Sequence, residues 1–465
     1  MEDNILTLFD WQEEALVKAL PENSGTNSWF MAWEMSLGKT LVATEYAKRV
    51  GAEQTLVVMP LNTRVSWERT IKGQIPGMPV YRLSSDKKDI TNFLKWNAGE
   101  RGFYLIGWEY MRTGVTHGFH ADLIIFDECH KLQNHGKSKQ STAAKSMKAK
   151  YKLALSGTPA ANKPEGIFGT LAVLWPDKYK SQYKWIDEHW RVIRNGASIE
   201  LVREIREGSV MEDIPNISRE LRKDHRDDLP ERMPEIPIEY TLTPRQRKLY
   251  DQFSEDSLAW VEDDEGEETF VSTSIPLVKD LRLSQVCLAV PTVTFSEREG
   301  VKYPVVSFAE NAKSAVMDSL REVLESLNGE TLLVFTTSAK LIPVAVKQLE
   351  KAGYSARAWY GETKQDERDQ MLETFGKDFQ VMVASIAAIA EGVDGLQHVC
   401  HNEFWMDKHP IQYLNTQARM RLDRPGQTEP VQSWYCYAPG TVSEDRLERL
   451  DEVQANLDRM IDYKG

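Results

Sequence analysis

Two stretches of the chain carry apolar runs of strand length that alternate with segments of helical spacing, the pattern of parallel sheets layered between helices. In the first, roughly 28–175, SWFMAW, TLVVMP, FYLIGW, DLIIFDE and KLALSG read as buried strands, and 39–50, 63–72 and 137–149 as helices. In the second, roughly 310–465, the strands are TLLVFTT, SARAWY, FQVMVAS and VQSWYCYA, and the helices 311–327, 338–352, 364–375 and 442–462. The stretch between them, about 177–310, is charged, lacks a strand rhythm and includes an acidic run from Glu262 to Glu268. It reads as helical insertions and a hinge, with the acidic run as a solvated loop. The fold predicted is α/β in two lobes. An N-terminal lobe covers 1–240 with a helical insertion from about 177, an insertion and hinge covers 241–310, and a C-terminal lobe covers 311–465.

Composition agrees with two folded cores. The chain has 465 residues, 41% hydrophobic and 27% charged, ordinary values for a globular protein. The start, MEDNILTLFDWQ, has no basic segment followed by an apolar core, and no apolar run approaches the ~18 residues that cross a bilayer. Neither secretion nor a membrane span is expected. The four cysteines, Cys129, Cys287, Cys400 and Cys436, are far apart and form no CxxC, which fits a reducing cytoplasm.

A net charge of −13 excludes a protein that coats nucleic acid over its whole surface, because non-specific affinity for DNA comes from Lys and Arg displacing counterions. The stretch Lys137 to Lys152 holds six lysines and no acid; it reads as a solvated helix face. The sequence HVCH at 398–401 has its candidate zinc ligands too close together to surround one tetrahedral ion. Thirteen tryptophans, Trp67, Trp108 and Trp405 among them, are assigned to packing rather than to base stacking.

Chemistry concentrates at two motifs of the first lobe. MAWEMSLGKT (31–40) follows a predicted strand and opens a helix, so the Gly38 amide and its neighbours point at phosphate oxygens across a helix N-terminus. Lys39 there neutralises β and γ phosphates, and the Thr40 hydroxyl suits Mg2+, which takes oxygen ligands. DLIIFDECH (122–130) ends an apolar strand in two adjacent acids. Asp127 is placed to hold Mg2+, and Glu128 to take a proton from the attacking water or orient it. His130 is placed to sense the γ-phosphate.

These two motifs resemble the phosphate loop and acidic box of Swi/Snf-type ATPases of helicase superfamily 2. Others follow in the family's order: Gln12 of LFDWQ, LSGTPAAN (155–162) with Ser156 and Thr158, LAVLWP (171–176), LLVFTTS (332–338), WYGETKQDER (359–368), ASIAAIAEGVDGLQ (384–397) and NTQARMRLDRPGQ (415–427). The resemblance implies two RecA-like helicase lobes. It implies that Gln12 reads adenine, that Ser156 and Thr158 couple hydrolysis to DNA, and that Asp394 meets the ribose or metal. Gln417, Arg421 and Arg424, spaced i, i+4 and i+7, are expected on one helical face, from which the guanidiniums reach a nucleotide. Trp33 and Ser36 stand where the family has an acid and a glycine, and Ile389 and Ala390 where it often has glycines.

The implied cofactors are ATP and Mg2+, and the implied partner is DNA read without sequence specificity. The expected activity is an ATP-dependent DNA helicase or translocase that remodels branched DNA by fork reversal and Holliday junction migration, in a minimal prokaryotic or phage motor. A duplex translocase that displaces proteins and an ATP-binding scaffold without motor activity are the alternatives.

Overall fold

In parallel sheets both faces are covered by helices, so strands read as continuous apolar runs, and successive side chains serve opposite faces. A computed structural model shows this arrangement twice. It describes residues 7–462 apart from 137, 196–197, 227–228, 231, 256–257, 263–267, 273–275, 299–300 and 391–392.

In the first stretch β1 (Ser28–Trp33), β2 (Gln54–Met59), β3 (Val80–Leu83), β4 (Gly102–Gly107), β5 (His120–Asp127) and β6 (Lys148–Leu155) form one sheet. After a hairpin of β7 (Trp190–Asn195) and β8 (Ser198–Glu204), β9 (Ile217–Glu220) joins the same sheet. All its neighbours pair parallel, in the order β3-β4-β2-β5-β6-β1-β9. Phe30, Val58, Ile106, Ile124 and Ala154 pack on one face; Trp29, Met31, Val57, Leu105, Ile125 and Leu153 pack on the other. Leu457, Met460 and Ile461, near the chain end, join the first of these cores.

The second sheet contains β10 (Ile236–Glu239), β15 (Leu332–Thr336), β16 (Ala356–Trp359), β17 (Val381–Ser385), β18 (Asn402–Trp405) and β19 (Gln432–Tyr437), ordered β10-β19-β18-β15-β17-β16 and again parallel. Between β10 and β15 lie two hairpins, β11 (Leu258–Glu262) with β12 (Glu268–Ser272) and β13 (Thr292–Arg298) with β14 (Val301–Ser307). Leu332, Val334, Val381 and Val383 face one core, and Leu333, Phe335, Met382 and Ala384 the other.

The compact units are Met1–Asp227 with Val453–Gly465, and Asp228–Glu452. This differs from the expected divisions at 240 and 310. The reason is pairing: β10 bonds β19 and so belongs to the second sheet. The stretch 177–310 holds helices, as expected, but also strands and three hairpins. Residues 263–267 of the acidic run lie outside the described residues, while Glu262 and Glu268 pair at the end of their hairpin. The basic stretch is not a single helix face, because only Lys139–Ser146 is helical and Lys148, Lys150 and Lys152 ride on β6. Lys137 lies outside the described residues.

Candidate active site

The carboxyl ends of β1, β5 and β6 carry the loop 34–38, the acids Asp127 and Glu128, and Ser156, so the first unit's polar motifs share one edge of the sheet. Ligands of open α/β sheets bind at that edge. The loop closes at Gly38, whose φ of 76° is left-handed, and the helix Lys39–Arg49 starts directly after it. The left-handed conformation at Gly38 favours glycine, and a Cβ there would stand 2.7 Å from Gln12 Nε2 and push that side-chain amide aside. Ser36 adopts a φ of 66°, the backbone that the family's glycine would take without strain.

Gln12 is buried under this loop. Its Nε2 donates to the Leu37 carbonyl at 2.9 Å and its Oε1 accepts from the Phe9 amide at 2.9 Å. Lys39 Nζ donates to the carbonyls of Trp33 and Glu34, both at 2.9 Å. Burial lowers the Lys39 pKa, while Glu128 and Asp127 oppose that shift, which brings the cation and both acids into one electrostatic cluster. Thr40 is half-buried beside Lys39 in the first turn of the helix.

Asp127 is the last residue of β5 and is buried. Desolvation, then the neighbouring Glu128, pushes its carboxyl up to about 6 against the pull of Trp67 and Lys39. Its Oδ2 accepts from Trp67 Nε1 at 2.9 Å and its Oδ1 from the Glu128 amide at 3.0 Å. Trp108 Nε1 donates to its main-chain carbonyl at 2.8 Å. Glu128 itself has a φ of 53°, and its Oε2 lies 3.2 Å from His130 Nδ1. That same nitrogen is 3.1 Å from Ser156 Oγ and 3.5 Å from Thr158 Oγ1. One chain of polar contacts therefore runs from the acid pair to the loop after β6.

A group that the sequence reading missed braces the phosphate loop from 217–226. Arg219 Nη1 donates to the Ala32 carbonyl at 2.9 Å, the Arg222 amide to Glu34 Oε2 at 2.7 Å, and Arg226 Nη1 to the Ser36 carbonyl at 3.0 Å. His225 stacks on Trp11 with ring centroids 4.0 Å apart. The three hydrogen bonds span 187, 188 and 190 residues of sequence and the ring contact more, so no local pattern announces them.

In the second unit, the helix holding Gln417 runs Gln412–Arg419 and ends there. Arg421 and Arg424 lie in the turns beyond it, so the expected single helical face is corrected. Pro425 disfavours the helical region for Arg424 and Gly426 takes a φ of 93°, so no helix resumes there. The two arginines nevertheless converge. Arg421 Nη1 donates to the Val393 carbonyl at 3.0 Å and Nη2 to that of Ala390; Arg424 Nη1 donates to Val393 O and Asp394 Oδ1, both at 2.9 Å. Burial works to raise the Asp394 pKa, but Arg424 and Gln397 outweigh it and hold the carboxyl below its usual value. Gln417 is buried in its helix. Among the described residues no cluster of three metal-ligating side chains occurs, and Cys400 of HVCH turns its thiol to the Asn402 carbonyl at 3.2 Å.

The first unit's oxygen donors, the Thr40 hydroxyl and the Asp127 carboxylate, suit Mg2+, a hard cation that keeps several of its own waters. Glu128 raises the cost of ionising Asp127, and a cation beside the carboxylate lowers it. With Lys39 at a helix start, the donor set fits a nucleotide triphosphate carrying Mg2+.

Comparison with known proteins agrees with this geometry. Residues 11–290 match the SNF2-related domain and residues 315–426 the helicase conserved C-terminal domain. A human SWI/SNF-related matrix-associated actin-dependent regulator of chromatin, subfamily A member 1, is 24% identical over 96% of this chain and 42% of its own length. An uncharacterized ATP-dependent helicase of Mycoplasma genitalium is 21% identical over 99% of this chain and 42% of its own. The chain thus spans less than half the length of these relatives. The Sulfolobus solfataricus SWI2/SNF2 ATPase core in complex with dsDNA aligns over 99% of this chain and 98% of that one, at 20% identity and a TM-score of 0.45. The chain belongs to the SNF2-related family, with a helicase conserved C-terminal domain matched within its second α/β unit.

Proposed function

We propose that this chain is a motor that hydrolyses ATP on DNA and uses the turnover to remodel branched DNA, as in fork reversal and Holliday junction migration during replication, recombination or repair. One observation carries the ATPase reading: the buried Asp127 at the end of β5 and the half-buried Glu128 after it share their electrostatic surroundings with Lys39 at the start of a helix. In this reading Gly38 and Lys39 hold the β and γ phosphates, Gln12 serves adenine, and Glu128 takes a proton from the attacking water or orients it. Mg2+, held by Thr40 and Asp127, would supply charge neutralisation on the phosphate oxygens. Arg421 and Arg424 stabilise charge on the transferred phosphoryl group, and Asp394 and Gln417 serve the nucleotide beside them.

The site of action is the cytoplasm of a bacterium or of a phage's host. Among the described residues no helix is long and apolar enough to cross a membrane. DNA is engaged through its backbone, which positions a protein without reading sequence. Branched substrates suit such a motor energetically. At a junction every base pair broken ahead is matched by one formed behind, whereas plain unwinding loses about 1.4 kcal/mol of stacking per step.

Gel assays on matched linear, forked and four-way substrates test the branch preference. Migrated or reversed products from forked and four-way DNA, with little unwinding of a long linear duplex, are expected. Equal or faster unwinding of the linear duplex leaves a general DNA motor and removes the branch-remodelling role.

A further inference from the structure

Buried indole N–H groups normally find some acceptor, commonly a nearby carbonyl or hydroxyl. The half-buried Trp175 likewise donates to Thr26 Oγ1 at 2.9 Å. Two other indoles of the first unit instead end on a single residue, Asp127. Trp67, fully buried in the helix Arg64–Gln74, donates to Oδ2 of its carboxylate at 2.9 Å, and Trp108, buried just after β4, donates to its main-chain carbonyl at 2.8 Å. These donors come from segments that follow β2 and β4, and β2 is the sheet neighbour of β5.

A carboxylate can rotate about its side-chain bonds, and a metal ligand that rotates binds its cation less well and holds it less accurately. The Asp127 carboxylate cannot rotate freely. Oδ1 is tied to the Glu128 amide at 3.0 Å and Oδ2 to Trp67, so both oxygens are fixed by one donor each. Each oxygen of a carboxylate accepts about two hydrogen bonds, so acceptor capacity for a cation or its water remains. The bond from Trp67 is directed at a charged acceptor in a water-excluded place, where such bonds are strongest.

We propose that Trp67 is a positioning residue for the phosphate site, locking the Asp127 carboxylate in its working orientation, and that Trp108 supports it by fixing the main chain of the same residue. The inference rests on the reading of Asp127 as a Mg2+–ATP ligand. Outer partners of metal ligands change metal affinity or activity by about 10–100-fold when removed.

The experiment measures ATP hydrolysis with duplex DNA as a function of ATP and of Mg2+ for wild type, Trp67→Phe, Trp108→Phe and Trp175→Phe, with a melting curve for each. Phenylalanine keeps a buried ring and removes the N–H. Trp67→Phe is expected to lower kcat about 10–100-fold and to raise the Mg2+ concentration at half-maximal rate, with a smaller change in KM for ATP. Trp108→Phe should shift both quantities in the same direction by less. Trp175→Phe, which also loses a bonded indole in the same unit, should melt lower but keep kcat and the Mg2+ requirement. A folded Trp67→Phe with the kcat and Mg2+ response of Trp175→Phe overturns the proposal. Should Trp67→Phe fail to fold, an unchanged kcat in Trp108→Phe overturns it instead. A wild-type chain without DNA-stimulated hydrolysis overturns the proposed function and this inference together; an active wild type with unaltered tryptophan variants overturns this inference alone.

Discussion

Glu128 holds a φ of 53°, a left-handed conformation that costs a non-glycine residue roughly 1–2 kcal/mol. Strain of this kind is retained where it sets a functional side chain, and here it turns the Glu128 carboxylate toward His130. Lys39→Ala and Glu128→Gln are each expected to abolish ATP turnover. Glu128→Gln should still bind ATP, because the loop 34–38 and Lys39 are untouched; turnover above a small fraction of wild type in either variant contradicts the roles given. Arg421→Ala or Arg424→Ala should change nucleotide affinity modestly and cut turnover by ~10³, as for arginine fingers. Single-turnover rates beside equilibrium nucleotide binding distinguish this from ground-state binding, in which affinity would collapse and saturated turnover stay normal. These charges were legible in the sequence because each sits in a short motif at a strand end or before a helix breaker. The part Trp67 plays was not. An indole whose N–H ties a site residue and one that only packs look the same in sequence, and only the fold brings residue 67 to residue 127.

Elements were legible in proportion to their burial. β1, β2, β4 and β5 are apolar runs because both faces of a central strand are covered, and each was found close to its observed bounds; β6 was found only in its buried half, because Lys148–Lys152 are lysine-rich and not buried. β3, β9 and β10 are four-residue edge strands whose positions, Leu83 apart, are half-buried or exposed, and they are too short to stand out. The helix expected to carry both arginines stops at Arg419, two residues before the first of them. One element-level tie lends itself to a pH test. Asp213, ending the short helix Ser209–Asp213 after β8, lies 2.7 Å from Lys178 Nζ and 3.6 Å from His189 Nε2. Burial works to raise its pKa, and His189 and Lys178 outweigh it, leaving the carboxyl at about 2. A folded-state value below the unfolded one means stabilisation that is complete above about pH 4 and is lost as pH falls toward 2. Asp213→Asn should therefore lower the unfolding free energy obtained from urea titration at pH 7, by about 1 kcal/mol for a partly exposed pair. The gap to wild type should narrow as the pH drops below 4, and a gap independent of pH contradicts the ion-pair account.

At the scale of the whole molecule, the two-unit α/β plan followed from the pair of strand-and-helix stretches, whereas the boundary did not. Asp228–Glu452 is set apart from the rest by which sheet β10 joins, and strand pairing across some two hundred residues leaves no local trace. The hairpins at 190–204, 258–272 and 292–307 were missed for a related reason, since an isolated two-stranded ribbon lacks the apolar continuity of a sheet. What joins the scales is the claim that the cluster of Lys39, Asp127 and Glu128 turns over ATP in response to DNA. The most direct test is the steady-state rate of ATP hydrolysis by the wild-type chain with Mg2+, measured with and without saturating duplex DNA. The account predicts hydrolysis that rises about tenfold or more when DNA is added, the order of one 1.4 kcal/mol step in the barrier. No hydrolysis, or a rate indifferent to DNA, would contradict it.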